Sequence, residues 1–198
     1  MFKRGRQLRR GGSGDPKPDQ GAAESAATAA LAKARSVARN TAIGLLSRRE
    51  HAQAEIKRKL RDRGYDDAIT LQVVDDLTRQ RLLSDDRFAE MFIRSRAGRG
   101  QGPVRLRGEL RQLKLPDEMI ERHLSAAEIE WVPLAVEIRL RKFGPAFAKT
   151  IAERAKQMRF LQYRGFTTDQ IRVALGTSST DELLDPDDGN DPPDHAEI

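Results

Sequence analysis

The sequence predicts an all-α protein: three tandem three-helix repeats with a period of about 50 residues, forming an elongated, curved array between two disordered tails. Three observations carry this reading. Apolar residues recur at helical spacing, as in Ile56 and Leu60, in Leu106, Leu110 and Leu113, and in the stripe of Phe88, Ala89, Phe92 and Ile93. The apolar/polar alternation of strands, closed by hairpin turns, is missing. A pattern also repeats. Leu60-x3-Gly64-Tyr65, Leu110-x3-Lys114-Leu115 and Leu161-x3-Gly165-Phe166 each set a large apolar residue five positions after a leucine. Another aliphatic follows nine residues later at Val74, Leu124 and Leu175, and the anchor leucines stand 50 and 51 residues apart.

Residues 1–33 read as a basic, Ala/Gly-rich tail. Gly11, Gly12, Ser13, Gly14, Pro16 and Pro18 break regular structure, and the Ala-rich run from Ala22 has little to bury. Residues 34–82 form the first repeat. Its opening helix spans roughly residues 34–46, Ser47-Arg-Arg-Glu50 has the form of a capping box starting the second helix, and Asp66-Asp67 start the third. Residues 83–127 form the second repeat: a helix over residues 85–97, a loop from Gly98 to Pro103 read as a mobile connector, and a helix after Pro103. The third helix of that repeat starts at Pro116-Asp117-Glu118, with proline expected at the first helical position. Residues 128–176 form the third repeat, with a helix over residues 133–143, a second ending at Gly165 and a third opening at Thr167-Thr168-Asp169. Gly64 and Gly165 close their helices because glycine accepts the left-handed C′ geometry, which turns the next apolar residue back to the core. Lys114 stands where the other repeats have glycine, so a different helix end is expected there. Residues 177–198, rich in Asp, Pro and Gly, are the second tail.

Charge and composition narrow the function classes. Cysteine is absent, which excludes disulfides, thiolate metal sites and cysteine nucleophiles. His51, His123 and His195 have no metal spacing, and no nucleophile–base constellation is present. The pairs Asp66-Asp67, Asp75-Asp76 and Asp85-Asp86 read as caps and surface charge, since adjacent helical side chains diverge. The loop at Gly98 lacks the Gly-Lys-Ser/Thr ending of a phosphate-binding loop. No catalytic residue, metal or cofactor is therefore expected, and the chain is read as non-enzymatic. It has no secretory signal and no apolar run near the roughly 18 residues of a membrane span, so a cytoplasmic monomer is expected.

The 36 Lys and Arg exceed the 30 Asp and Glu by a net +6, but unevenly. Residues 1–20 carry +4, residues 177–198 carry −8 with no basic residue, and residues 21–176 carry +10. Such a basic body suits a polyanion, or a protein assembled on one. The candidate binding residues are Arg94, Arg96, Arg99, Arg105, Arg107, Arg111 and Lys114 of the second repeat, with Lys57, Arg58 and Arg61 of the first. Arg139, Arg141 and Lys142 are the basic contribution of the third repeat. Most phenylalanines sit in apolar stripes and Trp131 is read as packing between repeats, so charge rather than base stacking is expected to drive binding.

The segment Leu83-Ser-Asp-Asp-Arg-Phe-Ala-Glu-Met-Phe-Ile-Arg-Ser-Arg96, followed by Gly102-Pro103 and Arg107-Gly-Glu-Leu110-Arg, resembles the middle repeat of the RecX family, regulators of the RecA recombinase. The Leu60-x3-Gly64-Tyr65 and Leu161-x3-Gly165-Phe166 patterns match its flanking repeats, and the likeness covers about residues 34–176. It implies a modulator that binds in the groove of the RecA filament on single-stranded DNA. There it would suppress filament growth, ATP hydrolysis and strand exchange, with weak, non-specific contact to single- and double-stranded DNA. The alternative reading is a helix-turn-helix-like DNA-binding protein acting without RecA.

Overall fold

The computed structural model describes residues 20–176. Among them nine α-helices and no strand follow in order: α1 (Gln20–Leu46), α2 (Gln53–Arg61), α3 (Asp67–Arg79), α4 (Asp85–Ala97), α5 (Pro103–Gln112), α6 (Asp117–Ala126), α7 (Trp131–Phe143), α8 (Ile151–Arg164) and α9 (Thr168–Ala174). They pack in threes, each around its own apolar centre, because no single helix here can bury its apolar stripe alone. The first centre joins Ala38 and Ala42 of α1, Ile56 and Leu60 of α2, and Val73 and Leu77 of α3. The second joins Phe88 and Ile93 of α4, Leu106 and Leu110 of α5, and Ile120 and Leu124 of α6. The third joins Ala135 and Ile138 of α7, Leu161 of α8, and Ile171 and Ala174 of α9.

The repeated leucine pattern has a hydrogen-bond explanation. The amides of Tyr65, Leu115 and Phe166 donate back to the carbonyls of Leu60, Leu110 and Leu161 at 3.2, 3.3 and 3.2 Å. Each anchor leucine thus accepts the bond that reverses the chain and swings the next apolar side chain inward. The residue before that amide must be left-handed, and Gly64 (φ 82°), Lys114 (φ 64°) and Gly165 (φ 88°) all are. The expected difference at Lys114 is therefore corrected: the middle helix ends like the other two, with lysine held where glycine is easier. The caps of α3 and α9 follow the sequence. Asp66 accepts from the Ala68 amide at 2.7 Å, and Thr167 with Gln170 forms a reciprocal capping box.

Three further expectations about helix starts are corrected. Helix α1 begins at Gln20 rather than Ala34. No Gly or Pro interrupts Ala22–Ile43 and alanine has the highest helix propensity, so the helix extends through exposed residues 24–33 without burial. Ser47–Glu50 does not cap α2, whose N-cap is Ala52 with no side-chain cap bond. Instead the Gln53 amide donates across the repeat boundary to the Asp85 carboxylate at 2.8 Å, and Glu50 receives Arg87 Nε at 2.8 Å. Pro116 is the N-cap of α6 rather than its first residue, because its ψ of 143° is extended.

The segment from Gly98 to Pro103 is a fixed joint, not a mobile connector. Gly100, Gln101 and Gly102 are buried. The amides of Gly102 and Val104 donate to the carbonyls of Arg164 and Gly165 at 2.8 and 2.9 Å, tying the second repeat to the third. A Cβ on Gly102 would overlap the Gly165 carbonyl, and one on Gly165 would overlap the Arg105 backbone. Trp131 opens α7 yet packs on the second core, as expected for a residue between repeats. Residues 1–19 and 177–198, read as tails, lie outside the described residues.

A candidate cationic cleft between the first two repeats

The acidic pairs are consumed locally. Asp76 bonds Arg35 and Arg79, and Asp86 takes Arg122 and His123 at 2.6 and 2.9 Å. Among the described residues no group of three or more His, Asp or Glu could hold a metal ion.

Helix α2 and the C-terminal end of α5 bring cations from two repeats together. One cleft of about 440 Å³ is lined by Lys57, Arg58 and Arg61 of the first repeat and by Lys114 of the second, with Asp85 at its edge. An adjoining cleft of about 390 Å³ is lined by Arg49, Arg96 and Arg99 over Phe88, Phe92 and Leu113. Both are walled by Glu55 and Leu113. Six of the ten predicted residues, Lys57, Arg58, Arg61, Arg96, Arg99 and Lys114, therefore converge across 57 residues of sequence.

The other four do not join them. Arg107 is held by both carboxylate oxygens of Glu121 at 2.5 and 2.8 Å, Arg111 by Asp117 at 2.7 Å, and Arg94 by Glu90 at 2.8 Å. Arg105 sits at the joint with the third repeat, bonded to Glu109 at 2.8 Å and to the Tyr163 carbonyl at 3.3 Å. The stripe Arg107, Arg111, Lys114 exists on α5, but α6 lays Glu121 and Asp117 against its first two members. Lys114, beyond the helix end, escapes. The side chains of Arg58, Arg99 and Lys114 have no hydrogen-bond or ion-pair partner among the described residues. Arg61 pairs with Asp67 at 2.5 Å, and Arg96 lies 5.0 Å from the Phe92 ring centre and 3.6 Å from Glu109.

Arg49 is the cleft residue that sequence reasoning missed, since its place in a capping-box pattern gave no sign of it. It grips buried Glu55 at 2.5 and 3.2 Å, and His51 Nδ1 lies 2.9 Å from the same carboxylate. Burial alone would push the Glu55 carboxyl up, but the Arg49 and His51 contacts outweigh it and hold it below the usual range. Burial dominates at Asp85, whose carboxyl is pushed up despite the Gln53 amide and nearby Lys57. The cleft floor thus carries an anion already bonded to Arg49, and its rim carries the unpaired cations. In the third repeat Arg139, expected on the basic surface, is 2% exposed and is corrected to an interior residue.

Three family models match this architecture repeat by repeat. The first three-helix domain of RecX matches residues 38–77, the second 84–124 and the third 128–175. The chain belongs to the RecX family. The regulatory protein RecX of Halorhodospira halophila is 43% identical over 148 residues, covering 75% of this chain and 92% of that one. RecX of Pseudomonas putida is 42% identical over 144 residues, covering 73% and 92%. A crystal structure of RecX from Lactobacillus salivarius superposes with a TM-score of 0.62 at 20% identity over 73% of this chain and 96% of that one. A second crystal structure, of regulatory protein RecX, gives 0.66 at 20% identity over 85% and 81%. These two share the RecX fold. No described helix is long and apolar enough to cross a membrane.

Proposed function

We propose that this chain regulates the RecA recombinase, chiefly as an inhibitor, by binding in the groove of the RecA–single-stranded DNA filament and suppressing filament growth, ATP hydrolysis and strand exchange. Family membership supports the regulatory role. The observation that carries the contact surface is the placement of Arg58, Lys114 and Arg99, unpaired among the described residues, in two adjoining clefts that share the wall of Glu55 and Leu113 between two repeats. Acidic protein surface and DNA phosphate along a filament are both met by cations of this kind. Tandem repeats extend such a contact over neighbouring subunits, and binding disfavours the active filament to the extent that the protein prefers another state of it. No catalytic group is assigned, and DNA contact is weak and indifferent to base sequence.

The test is RecA ATP hydrolysis and strand exchange with two triple variants. Arg58→Glu/Arg99→Glu/Lys114→Glu is expected to lose inhibition. Arg94→Glu/Arg107→Glu/Arg111→Glu, whose arginines are already paired, is expected to retain more of it. Full inhibition by the first variant would remove the cleft from the contact surface.

A further inference from the structure

Arg139 presents a problem of charge. It lies inside the third repeat at 2% exposure. Its guanidinium donates to the Ala146 carbonyl at 3.1 Å and stacks 5.0 Å from the Phe147 ring centre. Its Nε has no partner, and no carboxylate pairs with it among the described residues. A cation removed from water calls for a counter-charge. The lid over it is itself out of place, since Phe147 is 62% exposed, and nearby Ile151 is 76% exposed. Lys142 and Lys149 flank that loop, and neither side chain has a partner among the described residues. Residues 131–164 hold eight basic and two acidic side chains.

The last described residue, Gly176, lies against the Phe147 ring, so that a Cβ there would fall 2.8 Å from it. From this point the chain continues into 22 residues with eight acids and no base. Five to nine residues on comes Asp181-Glu182-Leu183-Leu184-Asp185, an apolar pair flanked by carboxylates. At about 3.3–3.6 Å per residue it can reach some 17–32 Å, ample to return to Phe147.

We infer that Asp181–Asp185 docks on the third repeat's own surface. Leu183 and Leu184 cover Phe147 and Ile151, and the flanking carboxylates face Lys142 and Lys149, bringing negative charge towards the side on which Arg139 is enclosed. The match is in kind as well as sign: exposed Phe147 and Ile151 stand in a stretch that carries Lys142 and Lys149, and an aliphatic pair flanked by acids follows seven residues after the glycine that meets Phe147. Docked in this way, the tail withholds the third repeat's positive field from an outside polyanion until it is displaced.

Because the chain has no cysteine, a nitroxide on Leu184→Cys of the full-length protein reports the contact cleanly. Isotope-labelled protein is expected to show amides of residues 142–151 broadened by the label, and Lys142→Glu/Lys149→Glu to abolish that broadening while leaving the rest of the spectrum unchanged. Broadening confined to residues adjoining the label in sequence, or centred on the Lys57–Lys114 cleft, would overturn the inference. So would broadening that survives the charge reversal. None of these outcomes depends on RecA.

Discussion

Lys114 carries two burdens. It occupies a left-handed backbone position at φ 64°, and its ammonium is one of the unpartnered cations of the cleft. A non-glycine residue there is strained by about 1–3 kcal/mol, against which glycine loses roughly 0.5–1 kcal/mol more chain entropy on folding. Lys114→Gly is therefore expected to stabilise the protein by about 1 kcal/mol in urea unfolding, while weakening binding to a single-stranded oligonucleotide. A variant that loses stability would show that the lysine stem contributes packing beyond its backbone strain. Arg107 makes the opposite point at the same scale. Its charge was legible in the sequence, but Glu121 accepts from its Nε and one terminal nitrogen, and a partner 14 residues away on another helix is visible only in the fold.

At the scale of elements, the helix ends and the joints obey different rules. The ends are local: Leu60, Leu110 and Leu161 each accept the reversing amide within five residues, and short-range chemistry made the repeat readable. The joints are not local. Asp85 caps a helix that starts 32 residues earlier, and Gly102 meets Arg164 and Gly165 across the second boundary. A glycine-rich loop reads as flexible because glycine permits many conformations; here it is required because backbone meets backbone without room for a side chain. Gly102→Ala is expected to cost about 2–4 kcal/mol through overlap and two weakened hydrogen bonds. The third repeat should then unfold ahead of the second, seen as early loss of amide-exchange protection at Val104 and Phe166. A single cooperative transition at the wild-type midpoint would show that the joint carries no such constraint. The repeat period, most helices and the caps at Asp66 and Thr167 were legible from the sequence, because they depend on neighbours within a turn or two. The start of α1, the real cap of α2 and the burial of Arg139 were not, since each depends on packing or on its absence.

For the molecule as a whole, charge placement outweighs net charge. Of the ten cations singled out by composition, the fold neutralises Arg94, Arg105, Arg107 and Arg111 by pairing and gathers the other six beside two clefts. Exposed ion pairs of this kind stabilise little, about 0–1 kcal/mol each, but they remove cations from long-range attraction. Binding to single-stranded DNA should therefore depend on salt mainly through the cleft. Arg58→Gln/Lys114→Gln is expected to flatten the slope of log affinity against log salt by about 1–1.5, from roughly 0.7 per lost phosphate contact. Arg107→Gln should flatten it much less, as fluorescence anisotropy titrations across salt concentrations would show. Equal flattening by both would mean that the Glu121 pair opens on binding.

The sequence by itself determined the helices, their period, the turn that closes each second helix and a basic body between unlike ends, because all of these follow from residue type and short-range spacing. Only the tertiary structure decided which cations remain available, which loop is a joint and which arginine is enclosed. Those properties depend on what a distant helix places opposite a side chain, and one helix face carries no record of the carboxylate or carbonyl that will meet it.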